Sequence, residues 1–471
     1  MNIYTQKAIV EPADTVIHTS LELRRELGLF DGVAVVVGSI IGSGIFLIPS
    51  FIAVQIHSFA AVLLVWMIGG ILTLCGALSL AELGTLHPGT GGLCTYLREA
   101  YGSLCAFLYA WALLFMIHSG SIAALAVGFG LFLGQIVPLT ALEQKLWGVS
   151  LILGLTTISC LGIRAGKLVQ NLFAIAKISG LVGIIFILTI KGSRSIRLFS
   201  PTGALSWPPV SVAAFSVALI AVLWAYEGWH VISFVTGEMK KPRVNLPRSL
   251  LYGSAIVMLI FLAANVGYYH VLSATEIQAS NAVAAFAVGK VLGPVGAKSI
   301  SFLILVSMVG CANGFILAGP RVYYAMACDG IFPAIFGKVS DRYRTPMVAL
   351  TVQGIWAATL AASGSYQQLF TDVVFTAWIF YGLAVAGVLV LRRRQPTIKR
   401  PFSVPGLPFL SLLFCGAAAT LIGYNVTRQP RSALIGISLV ATGLPIYLWR
   451  LRHRKLGDVS GSAVAEFTSN K

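Results

Sequence analysis

Charged residues are scarce in this chain. Asp, Glu, Lys and Arg together make up 10% of its 471 residues, against about a quarter in a soluble domain of ordinary composition. That scarcity excludes a water-soluble globule of this length. Cysteine is sparse and scattered. The seven (Cys75, Cys94, Cys105, Cys160, Cys311, Cys328 and Cys415) form no CxxC pair and no Cys/His ligand spacing. A disulfide framework or a structural zinc site needs such spacing, so these read as small apolar packing residues. HExxH, GxSxG and paired aspartates are missing, so neither a metal centre nor a cofactor is expected, and no catalytic residues. The short alternating segments of a membrane barrel are absent as well. The first 28 residues are polar and mixed in charge, without the apolar core and cleavage site of a signal peptide. The first apolar run is therefore expected to serve as the insertion signal.

Apolar residues fill the space that charge leaves. The chain is 57% hydrophobic, with a mean hydropathy of +0.87. Long apolar runs recur, each near the roughly 20 residues that cross a bilayer. Twelve spans are predicted, at 30–54, 59–86, 104–137, 146–163, 168–190, 211–236, 250–272, 297–324, 346–363, 368–391, 404–424 and 433–450. The fold class is thus an all-α polytopic membrane protein. The stretch "HPGTGGLCTYLREAYG" (87–102) reads as a short re-entrant or interfacial piece.

The formal charge of +17 could suggest nucleic acid. Its distribution argues otherwise. With the N-terminus inside, the inner loops and flanks carry 22 Lys and Arg, including Lys240, Lys241, Arg243, Arg392, Arg393 and Arg394, and the outer loops carry 8. This is the positive-inside bias of a membrane protein. The basic residues are expected to meet anionic lipid, not nucleic acid. Both termini are predicted to be cytoplasmic, in a cell (inner) membrane.

Two spans weaken themselves. Span 1 contains "GSIIGSGIF" (38–46), with Gly42 and Gly44 flanking Ser43. Span 6 reads "ALIAVLWAYEGWHVISFVTGE" (218–238) and is interrupted around Ala225–Trp229. Glycine costs about 1 kcal/mol in a helix interior. Broken backbone at membrane depth survives only where protein buries it or a watery cavity adjoins it. Glycine can also simply allow helices to pack closely. Two breaks five helices apart, however, mark the substrate site of inverted-repeat transporters. Unwinding frees the amides of Ser43, Gly44 and Ile45 for an anion. It also frees carbonyls for an ammonium group, with Ile40, Trp224 and Glu227 as candidates. The two together suit the α-carboxylate and α-amino groups of one amino acid.

Ionisable groups inside the spans add to this. Lys177 lies mid-span in "NLFAIAKISGLVGIIF" (171–186), where a charge costs several kcal/mol and is functional by default. If burial favours its neutral form, it could lose a proton during the cycle. Glu227 could contact a cationic group of the substrate or pair with His230 three residues on. His230 and His118 are candidates for the side-chain pocket, against the plainer reading of packing histidines. Glu82 and Glu238 are expected to pair with basic loop residues as an inner gate.

Four motifs in order resemble the amino acid–polyamine–organocation superfamily, and within it the L-type amino acid transporters, including their bacterial members. They are "GSIIGSGIF" (38–46), "GALSLAELG" (76–84) with "HPGTGGLCTYLREAYG", "WAYEGWHVISFVTGEMKKPRVNLPRS" (224–249) and "NGFILAGPRVYYAMACDGIFP" (313–333). The resemblance covers roughly residues 28–395. It implies a five-plus-five inverted-repeat core at 29–395 with discontinuous helices 1 and 6, helices 11 and 12 at 396–455, and cytoplasmic tails at 1–28 and 456–471. It implies amino acid transport by alternating access, either sodium-independent exchange or proton-linked uptake. A carrier of cationic amino acids or polyamines is the alternative. It places the substrate at Ile40, Ser43, Gly44, Ile45, Trp224, Ala225 and Glu227, with Trp224 as the gate that closes from outside. It places Lys177 where related sodium-coupled transporters hold a cation, with Ser307 as a second partner. Many relatives carry a tyrosine on span 7 where this chain has Phe261. Animal light chains use a cysteine in the outer loop after span 3 to bond a heavy subunit. The loop at 138–145 has none, so no such disulfide-linked partner is expected.

Overall fold

The computed structural model describes residue 25 and residues 27–452, apart from 90, 162, 194–209, 281 and 344. The expected tail at 456–471, and all but three residues of that at 1–28, lie outside the described residues. What is described is helical, apart from one isolated parallel bridge between Leu27 and Met239.

In chain order the helices are α1 (Leu29–Ile40), α2 (Gly44–Gln55), α3 (Phe59–Leu86), α4 (Leu93–Tyr101), α5 (Ser103–Ala112), α6 (His118–Ile136), α7 (Ala141–Cys160), α8 (Ile163–Lys191) and α9 (Val212–Ala225). They continue with α10 (Pro242–Val271), α11 (Ala274–Ala279), α12 (Val283–Cys328), α13 (Met347–Ser363), α14 (Tyr366–Arg394), α15 (Phe409–Arg428) and α16 (Pro430–Ala441, running on to Arg452). A π-helical segment, Leu113–Ile117, joins α5 to α6, and a 3-10 helix, Trp229–Glu238, follows α9. Among the described residues, eight helical segments are long and apolar enough to cross a membrane. The bent pair α1 and α2 makes a ninth. The helices α7, α8 and α13 overlie the other three expected spans.

Local chemistry sets many of the ends. Thr140 caps α7 and exchanges bonds with Glu143, and Ser273 does the same with Glu276 on α11. Such pairs satisfy amides that a helix start leaves open. Within the stretch 87–102, Leu93–Tyr101 form α4, divided from α5 at Gly102, whose φ of +90° glycine adopts at little cost. Gly293, at φ +76°, likewise kinks α12 and separates a short leading helix from the span behind it.

The centre of the protein is the α5–α6 span, buried over 83% of its most apolar window, against 17% for α16. Around it α3 packs along α10, α1 against α10, and α8 and α6 along α12. The bundle therefore converges on the two places where α1 gives way to α2 and α9 to the 3-10 helix.

Candidate functional site

The first break runs from Ile41 to Ser43, between helices bent by 42°. The second runs from Tyr226 to Gly228, and Gly228 has φ +114°, a conformation that strains any other residue. The two breaks touch backbone to backbone. A Cβ on Gly44 would stand 2.5 Å from Ala225 Cα, and one on Gly228 would stand 2.6 Å from the Ser39 carbonyl oxygen. The glycines thus serve close packing and broken backbone at once. At the start of α2, Phe46 and Leu47 donate to the Ser43 carbonyl. The Gly44 and Ile45 amides belong to the first turn, where a helix has no carbonyl to offer them.

Lys177 on α8 is buried, and its Nζ donates to the carbonyls of Gly38 and Ile41, the latter at 2.9 Å. Ser307 Oγ on α12 lies 3.4 Å from the Ile41 and Gly42 carbonyls, and Cys311 Sγ donates to Ser39 at 3.2 Å. Four of the five carbonyls from 38 to 42 therefore meet side-chain donors. Among the described residues, that of Ile40 meets none.

Opposite these contacts, Trp224 Nε1 lies 2.9 Å from the Tyr366 hydroxyl, which lies 2.9 Å from Ser43 Oγ. An indole N–H can only donate. Tyr366 therefore accepts from Trp224 and has its own proton for Ser43. Phe370 stacks on Trp224 with centroids 6.2 Å apart, and Phe51 meets Phe370 edge-on.

The breaks enclose a small cavity with about 10 Å³ for the centre of a water molecule, near the least that holds one water. Six of its eleven lining residues are expected substrate contacts: Ile40, Ser43, Gly44, Trp224, Ala225 and Glu227. Ile45 lies one residue beyond the lining, and its carbonyl is 3.4 Å from the Tyr268 hydroxyl. So α10 does send a tyrosine to α2, from a position two turns past Phe261. Phe261 itself packs on Trp66 and Tyr226.

His230, His118 and Ser307 lie outside the lining of this small cavity. Ser307 is held by the α1 carbonyls. The histidines lie behind the lining in a polar cluster. Tyr381 on α14 donates to Glu227 Oε1 at 2.6 Å and is 3.0 Å from His230 Nδ1. His230 Nδ1 is 3.5 Å from Glu227 Oε1, and the two histidines meet through Nε2 atoms 3.4 Å apart.

The family model for amino acid permeases matches residues 27–442. The chain belongs to the amino acid permease family. Curated relatives agree over nearly the whole length. The permease is 34% identical to the serine/threonine exchanger SteT of Bacillus subtilis, over 92% of this chain and 98% of that one. It is 34% identical to the human b(0,+)-type amino acid transporter 1, over 92% and 89%, and 31% identical to the mouse large neutral amino acids transporter small subunit 2, over 90% and 81%. The permease is therefore a multi-pass membrane transporter and not an enzyme.

Ion pairs gather where α3, α14 and the 3-10 helix end. Glu82 binds Arg392 through both oxygens at 2.8 and 2.7 Å, lies 3.2 Å from Arg400, and accepts the Val404 amide at 2.8 Å. Arg98 meets Asp329 at 2.5 Å. Glu238 pairs with Arg321 at 3.2 Å, a partner on α12 and not in a loop.

Several of these residues gave no signal in the sequence. Tyr381, Cys311 and Leu125 sit in apolar spans with no motif to single them out, Tyr366 falls between two expected spans, and Phe315 lies inside the fourth motif with nothing to distinguish it there. A hydroxyl inside an apolar run was the one available hint for Tyr381, since buried Tyr O–H groups usually find a partner.

Proposed function

We propose that the permease carries amino acids across the cell membrane by alternating access, through sodium-independent exchange or proton-linked uptake. The observation that carries this reading is the contact between the two breaks at Gly44–Ala225 and Gly228–Ser39. Ile40 and Gly44 both line the cavity between the breaks, which supports a free carbonyl and a first-turn amide as the pair that a zwitterion requires. The relatives named for amino acid exchange favour the same substrate class. The small cavity and the ties at its two ends suit an occluded step of the cycle.

The reading includes twelve spans with both termini inside, an inverted-repeat core at 29–395, helices 11 and 12 at 396–455, and cytoplasmic tails beyond. Helices overlying the twelve expected ranges and the basic inner loops support it. Trp224 with Tyr366 and Phe370 then forms the outer cover, and Glu82 with Arg392 and Arg400 the inner one. Lys177 stands where a bound cation would otherwise join α1 to the bundle. No disulfide-linked heavy subunit is part of the reading. A cationic substrate is the second reading, favoured by Glu227 as the one acidic residue lining the cavity.

The test is counterflow. Purified permease in liposomes loaded with unlabelled amino acids is offered each labelled one in turn, with and without sodium or a pH gradient. Accumulation of at least one α-amino acid, unchanged when choline replaces sodium, is the expected result. Failure with every amino acid overturns the proposal.

A further inference from the structure

We infer that a cavity where α5 begins and α12 and α16 end binds the headgroup of an anionic phospholipid, with Arg450 on its phosphate. This site is separate from the transport reading above. It takes from that reading only the orientation, which puts the last turn of α16 at the cytoplasmic surface.

The cavity has a volume of about 420 Å³. Ser103 lines it from the first residue of α5, and Gly330 and Ile331 line it from the turn after α12. Tyr447, Trp449, Arg450 and Leu451 complete it from the last turns of α16. Three elements far apart in sequence thus meet around a space large enough for a small molecule. Its depth in the bilayer follows from the spans. One begins at Ser103, and two others end at Cys328 and Arg452. The cavity therefore lies where hydrocarbon gives way to headgroups. The span of α16 is only 17% buried, so the cavity stands at the rim of the bundle, within reach of lipid.

The lining has a polar end and an apolar one. At the polar end, Arg450 Nη2 donates to the Gly330 carbonyl at 3.3 Å. That bond holds the guanidinium at the cavity. A guanidinium presents its N–H groups in a flat fork that matches two oxygens of a phosphate. Ser103 adds a hydroxyl beside it. At the apolar end, the Tyr447 ring packs on Phe107 with centroids 5.3 Å apart. Trp449 is 59% exposed, and Leu451 is exposed as well. Aromatic rings beside an arginine are the pattern of a membrane–water boundary. Free phosphate would fill a fraction of the space and leave the apolar wall without use. A phosphate that carries acyl chains matches both ends.

Charge selects the kind of lipid. None of the described residues that line the cavity is acidic. Asp329, next to Gly330 in the chain, is paired with Arg98 at 2.5 Å, and Arg98 also meets Glu99 at 3.6 Å. Arg452 adds a further positive charge two residues past Arg450. The cavity thus offers a cation to a phosphate and no carboxylate to a headgroup ammonium. Phosphatidylglycerol suits it. Phosphatidylcholine brings a cation of its own, which leaves water for no partner. Bound there, the anionic lipid joins the peripheral α16 to two central spans.

The experiment is native mass spectrometry of the full-length permease in detergent. The protein is titrated with dioleoylphosphatidylglycerol, with dioleoylphosphatidylcholine, and with the former in excess inorganic phosphate. The wild type should bind one phosphatidylglycerol about tenfold more tightly than phosphatidylcholine, with phosphate failing to displace it. Arg450→Gln should lower the affinity for phosphatidylglycerol about tenfold, to the level of the other lipid. Ser103→Phe keeps the arginine but fills the cavity, and should do the same. It covers the case in which Arg450→Gln does not elute as a single species on size exclusion. Arg428→Gln, at the far end of α15, should bind as the wild type does. Any of four results overturns the inference. They are equal affinity for the two lipids, a folded variant at Arg450 or Ser103 that keeps the preference, an equal loss in Arg428→Gln, or displacement by phosphate alone, which would mark a site for free anions. Counterflow that fails with every amino acid would remove the transport reading and leave this one standing.

Discussion

Lys177 is the side chain proposed to stand in for a bound ion. Its ammonium is buried and has two carbonyl partners at the end of α1. Hydrogen bonds to a charged group are worth about 1.5–3 kcal/mol each. Lys177→Ala should reduce liposome uptake to near background while the protein still elutes as a single species on size exclusion. Uptake by that variant restored by sodium would mean that the space takes a metal cation after all. Tyr366 acts at the same scale. Its hydroxyl joins Trp224 to Ser43, and Tyr366→Phe removes both bonds. At about 1 kcal/mol per bond, the apparent substrate constant should rise roughly tenfold or more, read from uptake against concentration. Lys177 was legible in the sequence because a lone charge in an apolar run is conspicuous. Tyr366 was not, because one tyrosine at a span's edge looks like an interfacial aromatic.

At the scale of elements, the two broken helices depend on glycine for different reasons. Gly228 needs its positive φ, whereas Gly44 needs the absence of a side chain. Gly44→Ala would set a methyl 2.5 Å from the Ala225 backbone, which must move since no flexible side chain is there to yield. Overpacking of this kind costs about 1–3 kcal/mol. Transport should be lost, with a melting temperature lowered by a few degrees; transport at the wild-type rate would mean that the contact is not needed. The glycines themselves announced both breaks. The second half of span 6 was expected as ordinary helix and is a ten-residue 3-10 helix. Such runs seldom exceed three or four residues and often mark hinges. No residue in "WHVISFVTGE" requires it; the packing of its neighbours decides.

For the whole molecule, the question is which side opens. Glu82 gathers Arg392, Arg400 and the Val404 amide, tying α3 to the end of α14 and to the segment before α15. Glu82→Gln removes the charge that holds them together. The expected result is faster modification of Cys311 in the cavity by a membrane-impermeant maleimide added to that side, read by peptide mass spectrometry. A change of about tenfold corresponds to roughly 1.4 kcal/mol off the closed form. Unchanged labelling would show that this cluster is not the inner closure.

The sequence alone determined the class of this protein. Apolar runs of bilayer length, basic loops on alternate sides, two glycine breaks and one buried lysine are all local signals. Each follows from the cost of placing charge or unpaired backbone in hydrocarbon. The ordered motifs then narrowed the class to its family. Only the tertiary structure decided which residues meet: Tyr366 bridging Trp224 and Ser43, Tyr381 between Glu227 and His230, and Glu82 between two arginines. These partners are separated by 100 residues or more in most cases. Contacts of that range depend on how helices rotate and slide against one another. In a chain that is apolar on nearly every helical face, no periodicity records that choice.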